Sequence, residues 1–348
     1  MTEVLYRKYR PQKFADVLGQ DQIVKVLEAQ VANGKISHAY LFAGTRGTGK
    51  TSVARILAAA LGTTGNDIYE IDAASNTGVD DIRSLNDSIQ TLPFNSKYKV
   101  YILDEVHMLS KSAGNALLKT LEEPPSYVVF ILATTEIHKI PETVLSRCEV
   151  YTFKKPSVEV LKKVVQNVAK KEGFSVGEES AELVALLGDG SFRDTLGILQ
   201  KIISSSKDKK INDEEIRLVT GAPKRELVEA VISAISEKNL DKALSAVRTA
   251  QKENIDISVF LKLILRSARA ILLLRFGAGN IVKDELSEKE FTFLEKLAKS
   301  DTVFSSQVLV ELLKALELTT GAHIASLPLE LALVNIIGEK SGQEAKKV

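Results

Sequence analysis

Ala39-Tyr40-Leu41-Phe42-Ala43, an unbroken apolar run, leads directly into Gly44-Thr45-Arg46-Gly47-Thr48-Gly49-Lys50-Thr51. No other stretch constrains the fold of this chain as tightly. The glycines let backbone N–H groups converge on an anion in conformations that a Cβ forbids. Lys50 adds a flexible point charge, and the Thr51 hydroxyl is suited to a Mg²⁺ ion. A helix starting here directs its positive N-terminal end at the same anion. The segment therefore predicts a buried strand, a phosphate-binding loop and a helix over 51–61. Candidate nucleotide-binding residues are Gly44, Thr45, Arg46, Gly47, Thr48, Gly49, Lys50, Thr51 and Ser52.

Further short runs rich in Val, Ile, Tyr and Phe occur at 68–71, 99–103, 128–133 and 150–153, with helical patterns at 80–89 and 112–121. Such alternation predicts a parallel sheet covered by helices on both faces. Pro124-Pro125 stops the last of these helices, since proline lacks the N–H and clashes with the preceding turn. The run Val100-Tyr101-Ile102-Leu103 ends in Asp104-Glu105. That places Asp104 at the C-terminal edge of the sheet, beside the phosphate loop, as a Mg²⁺ ligand with Thr51. Glu105 is then suited to orient and polarise an attacking water. ATP and Mg²⁺ are the expected cofactors.

After Pro156 the strand signal vanishes. Helical periods cover 158–171, 178–187 and 191–204, then 224–236, 240–253, 257–276, 288–300 and 305–319, with breaks at Gly188-Asp189-Gly190 and Gly221-Ala222-Pro223. The expected organisation is an α/β nucleotide-binding domain over 1–155, a small helical domain over 156–221, a larger helical domain over 222–340 and a polar tail over 341–348.

Composition narrows the function. A net charge of +1, from 46 basic and 45 acidic side chains, excludes a general basic footprint for nucleic acid and leaves room for a local patch. The single cysteine, Cys148, excludes a cysteine-based zinc site within the chain. Residues 1–10 are charged and lack an apolar signal-like core, and no run approaches the ~20 apolar residues of a spanning helix. A cytoplasmic protein without a membrane partner is expected.

Other segments carry a resemblance. Leu5-Tyr6-Arg7-Lys8-Tyr9-Arg10-Pro11 and Phe14-Ala15-Asp16-Val17-Leu18-Gly19-Gln20 stand near the start. Ile71-Asp72-Ala73-Ala74-Ser75-Asn76-Thr77-Gly78-Val79-Asp80-Asp81-Ile82-Arg83 follows the second strand, and Ile131-Leu132-Ala133-Thr134-Thr135-Glu136 ends the fourth. Leu145-Ser146-Arg147-Cys148 precedes the fifth, and Gly190-Ser191-Phe192-Arg193-Asp194 opens a later helix. With the loop and the acidic pair, these resemble the AAA+ ATPases, and among them the gamma/tau subunits of bacterial DNA polymerase III clamp loaders.

The resemblance implies an AAA+ α/β domain, a helical lid and a helical collar for oligomerisation. It implies that Tyr9, Arg10 and Val17 wrap the base, that Thr135 is a sensor near the γ-phosphate and that Arg193 is a second sensor from the lid. Arg147 becomes a finger serving the ATP of a neighbouring subunit, and Lys50, Glu105 and Arg147 form the catalytic set. Implied partners are delta- and delta-prime-type subunits, further copies of the chain, the sliding clamp and primer–template DNA. The implied function is ATP-driven clamp loading. A non-catalytic stator of the same assembly is the alternative; a AAA+ branch-migration motor would share the loop and the acidic pair but not the finger.

There is one departure. Family members usually carry a four-cysteine zinc module after the phosphate-loop helix, where this chain has only Leu61-Gly62-Thr63-Thr64-Gly65-Asn66-Asp67. No zinc is expected. The chain also stops at residue 348, before the polymerase- and helicase-binding domains expected of a tau form.

Overall fold

Five strands, β1 (Ala39–Ala43), β2 (Ile68–Asp72), β3 (Lys99–Asp104), β4 (Val128–Thr134) and β5 (Glu149–Thr152), form one parallel sheet in the order β2-β3-β4-β1-β5. The structure is a computed structural model that describes residues 3–75, 85, 87–206, 208–283, 285–300, 303–319 and 321–338.

Every residue of β1 and β4 is buried, and so is β3 up to Asp104. Covered parallel strands need this continuous apolarity. Alternate side chains then serve opposite faces. Tyr40, Phe42, Val100, Ile102, Val129 and Ile131 pack with Val53, Ile56 and Leu57 of the helix Lys50–Ala60 and with Leu27 of the helix Asp21–Ala32. Leu41, Tyr101, Leu103, Phe130 and Leu132 pack instead with Leu117 and Leu121 of the helix Lys111–Glu122. With β1 inserted between β4 and β5, the exits of β1, β3 and β4 open at one edge of the sheet. Crevices at such breaks in strand order are where open α/β sheets bind ligands.

The chain forms two compact units, Met1–Val168 with Gly188–Gln200, and Ala169–Leu187 with Lys201–Val348. The division falls inside the helices Val158–Lys171 and Phe192–Ser205. In the second unit, a core of Val231, Ile232, Val247, Phe260, Ile264, Leu312 and Leu329 joins the helices Arg225–Ser236, Leu240–Lys252, Ile257–Arg275, Ser306–Thr319 and Leu327–Gly338. Leu327–Gly338 escapes a period-based reading because apolar residues occupy nearly every position, leaving no polar face to mark the helical repeat. The helix Asp213–Thr220 is likewise additional to the expected set; it starts in a capping box in which Asn212 and Glu215 satisfy each other's backbone N–H.

The expected helix at 80–89 is described at Leu85 and 87–89, which are helical. Its remainder, positions 76–83 of the family-like segment and the tail from 339 lie outside the described residues. Among the described residues, no helix is long and apolar enough to cross a membrane.

Candidate nucleotide site

β1 delivers the chain into the loop, where Gly44 N–H donates to Thr134 O at 3.1 Å. Gly47 has φ +75°, and a Cβ built there would stand 1.9 Å from Ser191 Oγ. Phe192 N–H donates to Gly47 O at 2.9 Å, so the loop and the start of the helix Phe192–Ser205 sit against one another. Gly49, at φ +102°, caps the helix Lys50–Ala60 in a conformation unsuited to side-chain-bearing residues. Among the described residues, no acceptor is paired with the backbone N–H groups from Arg46 to Ser52. The first turn of a helix leaves such donors free.

Lys50 is buried, and its Nζ donates to Gly44 O at 2.7 Å and Thr45 O at 3.0 Å. Burial lowers its pKa from the ordinary lysine value, while Glu105 and Asp104 pull it back up. Thr48 Oγ1 donates to Thr45 O at 2.9 Å and braces the loop from within. Converging N–H groups, the positive helix end and a sequestered ammonium fit a polyphosphate.

The second half of the site reaches the loop from β3. Thr51 Oγ1 donates to Asp104 Oδ2 at 2.7 Å, and Asp104 Oδ1 accepts the Glu105 N–H at 3.0 Å. A hydroxyl beside a carboxylate is an all-oxygen donor set, which suits Mg²⁺. Glu105 adopts φ 51°, ψ 44°, a left-handed backbone uncommon outside glycine and of the kind held at functional sites by surrounding structure. Its Oε2 accepts from Thr135 N at 3.3 Å and Thr135 Oγ1 at 3.0 Å. The exits of β3 and β4 thus meet through two of the predicted residues.

Tyr9 and Arg10 follow the short helix Leu5–Lys8, and Val17 closes the turn Phe14–Asp16. Arg10 is half-buried; burial lowers its pKa, and so does the neighbouring charge of Arg55. Arg193 places its guanidinium over the Tyr6 ring, 5.0 Å from the centroid. Leu5 N donates to Gln200 Oε1 at 2.9 Å, tying the N-terminal arm to the same helix. Arg7, Arg10, Arg55 and Arg193 gather positive charge around this arm, with Glu70 as the counter-charge.

Arg147 stands apart. It follows the helix Glu142–Leu145, donating from Nη1 to Thr143 O at 2.6 Å and from Nη2 to Glu122 Oε1 at 2.5 Å. Glu149, just beyond it, is in register with Tyr40 near the entry of β1, whereas the phosphate loop leaves β1 after Ala43. At about 3.3 Å of rise per residue, the two edges lie a strand length apart, roughly 15 Å. Arg147 therefore does not join the phosphate loop of its own chain.

Several charged or polar residues in this unit carry no motif. His107, two residues beyond Glu105, has a side chain only 6% exposed. It contacts Thr134, Glu105 and Glu136. Asp67 is buried and accepts the N–H groups of Phe94, Asn95 and Ser96 at 2.6, 3.0 and 2.9 Å. Buried Lys99 caps Ser88 O at 2.7 Å and Thr91 Oγ1 at 2.8 Å. The one signal for Asp67 was its place directly before an apolar strand. Nothing in the sequence marks its partners, nearly thirty residues on.

Residues 19–74 and 64–157 match the family described as DNA polymerase III, delta subunit, and residues 211–348 match DNA polymerase III subunits gamma and tau domain III. The chain is 41% identical over 298 residues to DNA polymerase III subunit tau of Bacillus subtilis, an alignment covering 80% of this chain and 53% of that one. It is 36% identical over 303 residues to subunit tau of Escherichia coli, covering 81% and 47%. DNA polymerase III subunit gamma of Buchnera aphidicola subsp. Schizaphis graminum is 34% identical over 334 residues, covering 89% of this chain and 91% of the relative. The chain spans about half the length of the tau relatives it matches. Among solved structures, the RuvB Holliday junction branch migration motor of Thermotoga maritima aligns with a TM-score of 0.53 at 22% identity, over 66% of this chain and 80% of that one. At that identity the likeness shows a shared AAA+ fold alone.

Proposed function

This chain belongs to the DNA polymerase III gamma/tau subunit family, and on that premise we propose that it is an ATP-hydrolysing, Mg²⁺-dependent motor subunit of a clamp loader. The observation that carries the reading is the completeness of the phosphate site. Lys50, Thr51, Asp104 and Glu105 are all present and linked around one loop. A stator of the same assembly has no use for all four.

The roles follow from the chemistry. Loop N–H groups from 46–52 and Lys50 bind the phosphates. Thr51 and Asp104 would hold Mg²⁺, which when bound offsets charge on the transferring phosphoryl group. Glu105 orients and polarises the attacking water, with Thr135 as the sensor beside it. Tyr9, Arg10 and Val17 take the base side, and Arg193 reports nucleotide state from the lid. The position of Arg147 at the opposite sheet edge supports its service to the ATP of a neighbouring subunit, where a guanidinium stabilises developing charge.

An assembly is therefore part of the proposal. The helices Ser306–Thr319 and Leu327–Gly338 leave Val310, Leu313, Leu331 and Val334 exposed, which supports a collar role for residues 222–340. Residues 1–155 are assigned to nucleotide binding and 156–221 to the lid. The proposed partners are delta- and delta-prime-type subunits, further copies of the chain, the sliding clamp and primer–template DNA, in the cytoplasm. Hydrolysis in that setting releases the closed clamp on DNA.

The test compares the parent with Lys50→Ala in the reconstituted assembly, measuring ATP hydrolysis with and without primed DNA and clamp. The parent should show DNA-stimulated turnover and the variant should lose it. Equal turnover by both proteins would remove the phosphate site from the mechanism.

A further inference from the structure

We propose that His107 is a positioning residue for Glu105, tying the water-polarising carboxylate to the turn Thr134-Thr135-Glu136; this rests on the ATPase reading above. Glu105 leaves β3 in a left-handed conformation, and the short turn Val106–Met108 brings the chain back across the exit of β4. The imidazole fills the gap between the two strand ends with a side chain 6% exposed. Its Nδ1 shares a hydrogen bond with Thr134 Oγ1 at 3.1 Å and lies 3.4 Å from Glu105 Oε2. Its Nε2 lies 3.4 Å from Glu136 Oε1.

Each contact on the ring is itself anchored. Thr134 is fully buried, and its Oγ1 also accepts the Glu136 N–H at 3.0 Å. Glu136 is held at its other oxygen by Lys139 Nζ at 2.7 Å, with His138 Nε2 at 3.5 Å. Glu105 Oε2 meanwhile receives both the N–H and the hydroxyl of Thr135. Glu105 and Glu136, each partly exposed, are thus bridged through a buried ring, in which polar contacts reinforce one another.

A packing role would make a poorer fit. An apolar side chain fills the same space, yet leaves Thr134 Oγ1 without its ring partner and one face of Glu105 Oε2 bare. The bridge makes a sharper claim. A displacement of the Thr134–Glu136 turn, where the proposed sensor sits, moves the ring, and the ring moves Glu105. Orientation of a general base is worth orders of magnitude in the chemical step and little in ground-state binding.

The test uses the reconstituted assembly with primed DNA and clamp, measuring ATP binding, KM and kcat for the parent, His107→Leu, His107→Gln and Glu136→Gln. His107→Leu should lower kcat about 10- to 100-fold while KM stays within about threefold. His107→Gln should recover most of the turnover, because an amide can replace a ring nitrogen at Thr134. Glu136→Gln, at a half-exposed position where folding is not in question, should lower kcat by a smaller factor at unchanged KM. Parent-like kcat in His107→Leu overturns the proposal. So does a joint loss of ATP binding and turnover that His107→Gln fails to rescue. A parent with no turnover, indistinguishable from Lys50→Ala, would fail the ATPase reading itself.

Discussion

Arg147 and Glu122 form an ion pair, 2.5 Å between Nη2 and Oε1, on the sheet edge opposite the phosphate loop. The pair is partly exposed, so its own contribution to stability is small. Arg147→Ala should therefore fold and bind ATP like the parent. In the assembly it should lower DNA-stimulated turnover by about 10³-fold or more, the scale of an arginine supplied in trans. Turnover unchanged alongside unchanged binding would sink the finger assignment.

Asp104 accepts the Thr51 hydroxyl at 2.7 Å and the Glu105 N–H at 3.0 Å. Asp104→Asn keeps the shape and removes the charge. The Mg²⁺ concentration for half-maximal turnover should rise by at least the ~10-fold that even an outer-shell partner is worth. A Mg²⁺ titration of ATP hydrolysis reads this directly, and an unmoved midpoint would exclude Asp104 as a ligand.

Gly47 has no room for a side chain, since a Cβ would stand 1.9 Å from Ser191 Oγ and its φ is +75°. Gly47→Ala should cost about 1–3 kcal/mol through strain and overpacking and weaken ATP binding. Adding Ser191→Gly removes the collision but not the backbone strain. Thermal melts and nucleotide titrations of the single and double variants should show partial recovery.

Asp67 gives the pH dependence. Burial would raise its pKa, but the N–H groups of Phe94 and Asn95, then the contacts from Ser96, outweigh it and hold the carboxyl at about 2. A carboxyl depressed in the folded state stabilises above its unfolded value of about 4. That contribution, on the order of 2 kcal/mol, is lost as pH falls through the window from about 4 to about 2. Asp67→Ala should be destabilised at pH 7, with the difference from the parent closing across that window. Denaturant melts at stepped pH check it, and a constant difference would contradict the clamp.

Much of this site was legible in the primary structure because its parts are local. A phosphate loop needs small residues, one lysine and one hydroxyl in a fixed order, and the strand before it needs unbroken apolarity. Asp104 and Glu105 were readable for the same reason, as a buried strand ending in two carboxylates. His107, Asp67 and Lys99 were not. Each owes its role to a partner on another element, and a lone His, Asp or Lys is most often a solvated or packing residue. The helix Leu327–Gly338 was missed from the other side: apolar residues at nearly every position, exposed Leu331 and Val334 among them, erased the period that marks a helix.

By itself, then, the sequence determined that the chain builds an α/β phosphate site followed by helices, since strand apolarity, glycine placement and helical period are properties of contiguous residues. Which edge each residue faces was decided only by the tertiary structure. The register of β5 on β1 puts Arg147 a strand length from its own phosphate loop, and the left-handed turn at Glu105 brings His107 under β4. Those placements depend on strand order and long-range pairing, which no local run of residues encodes.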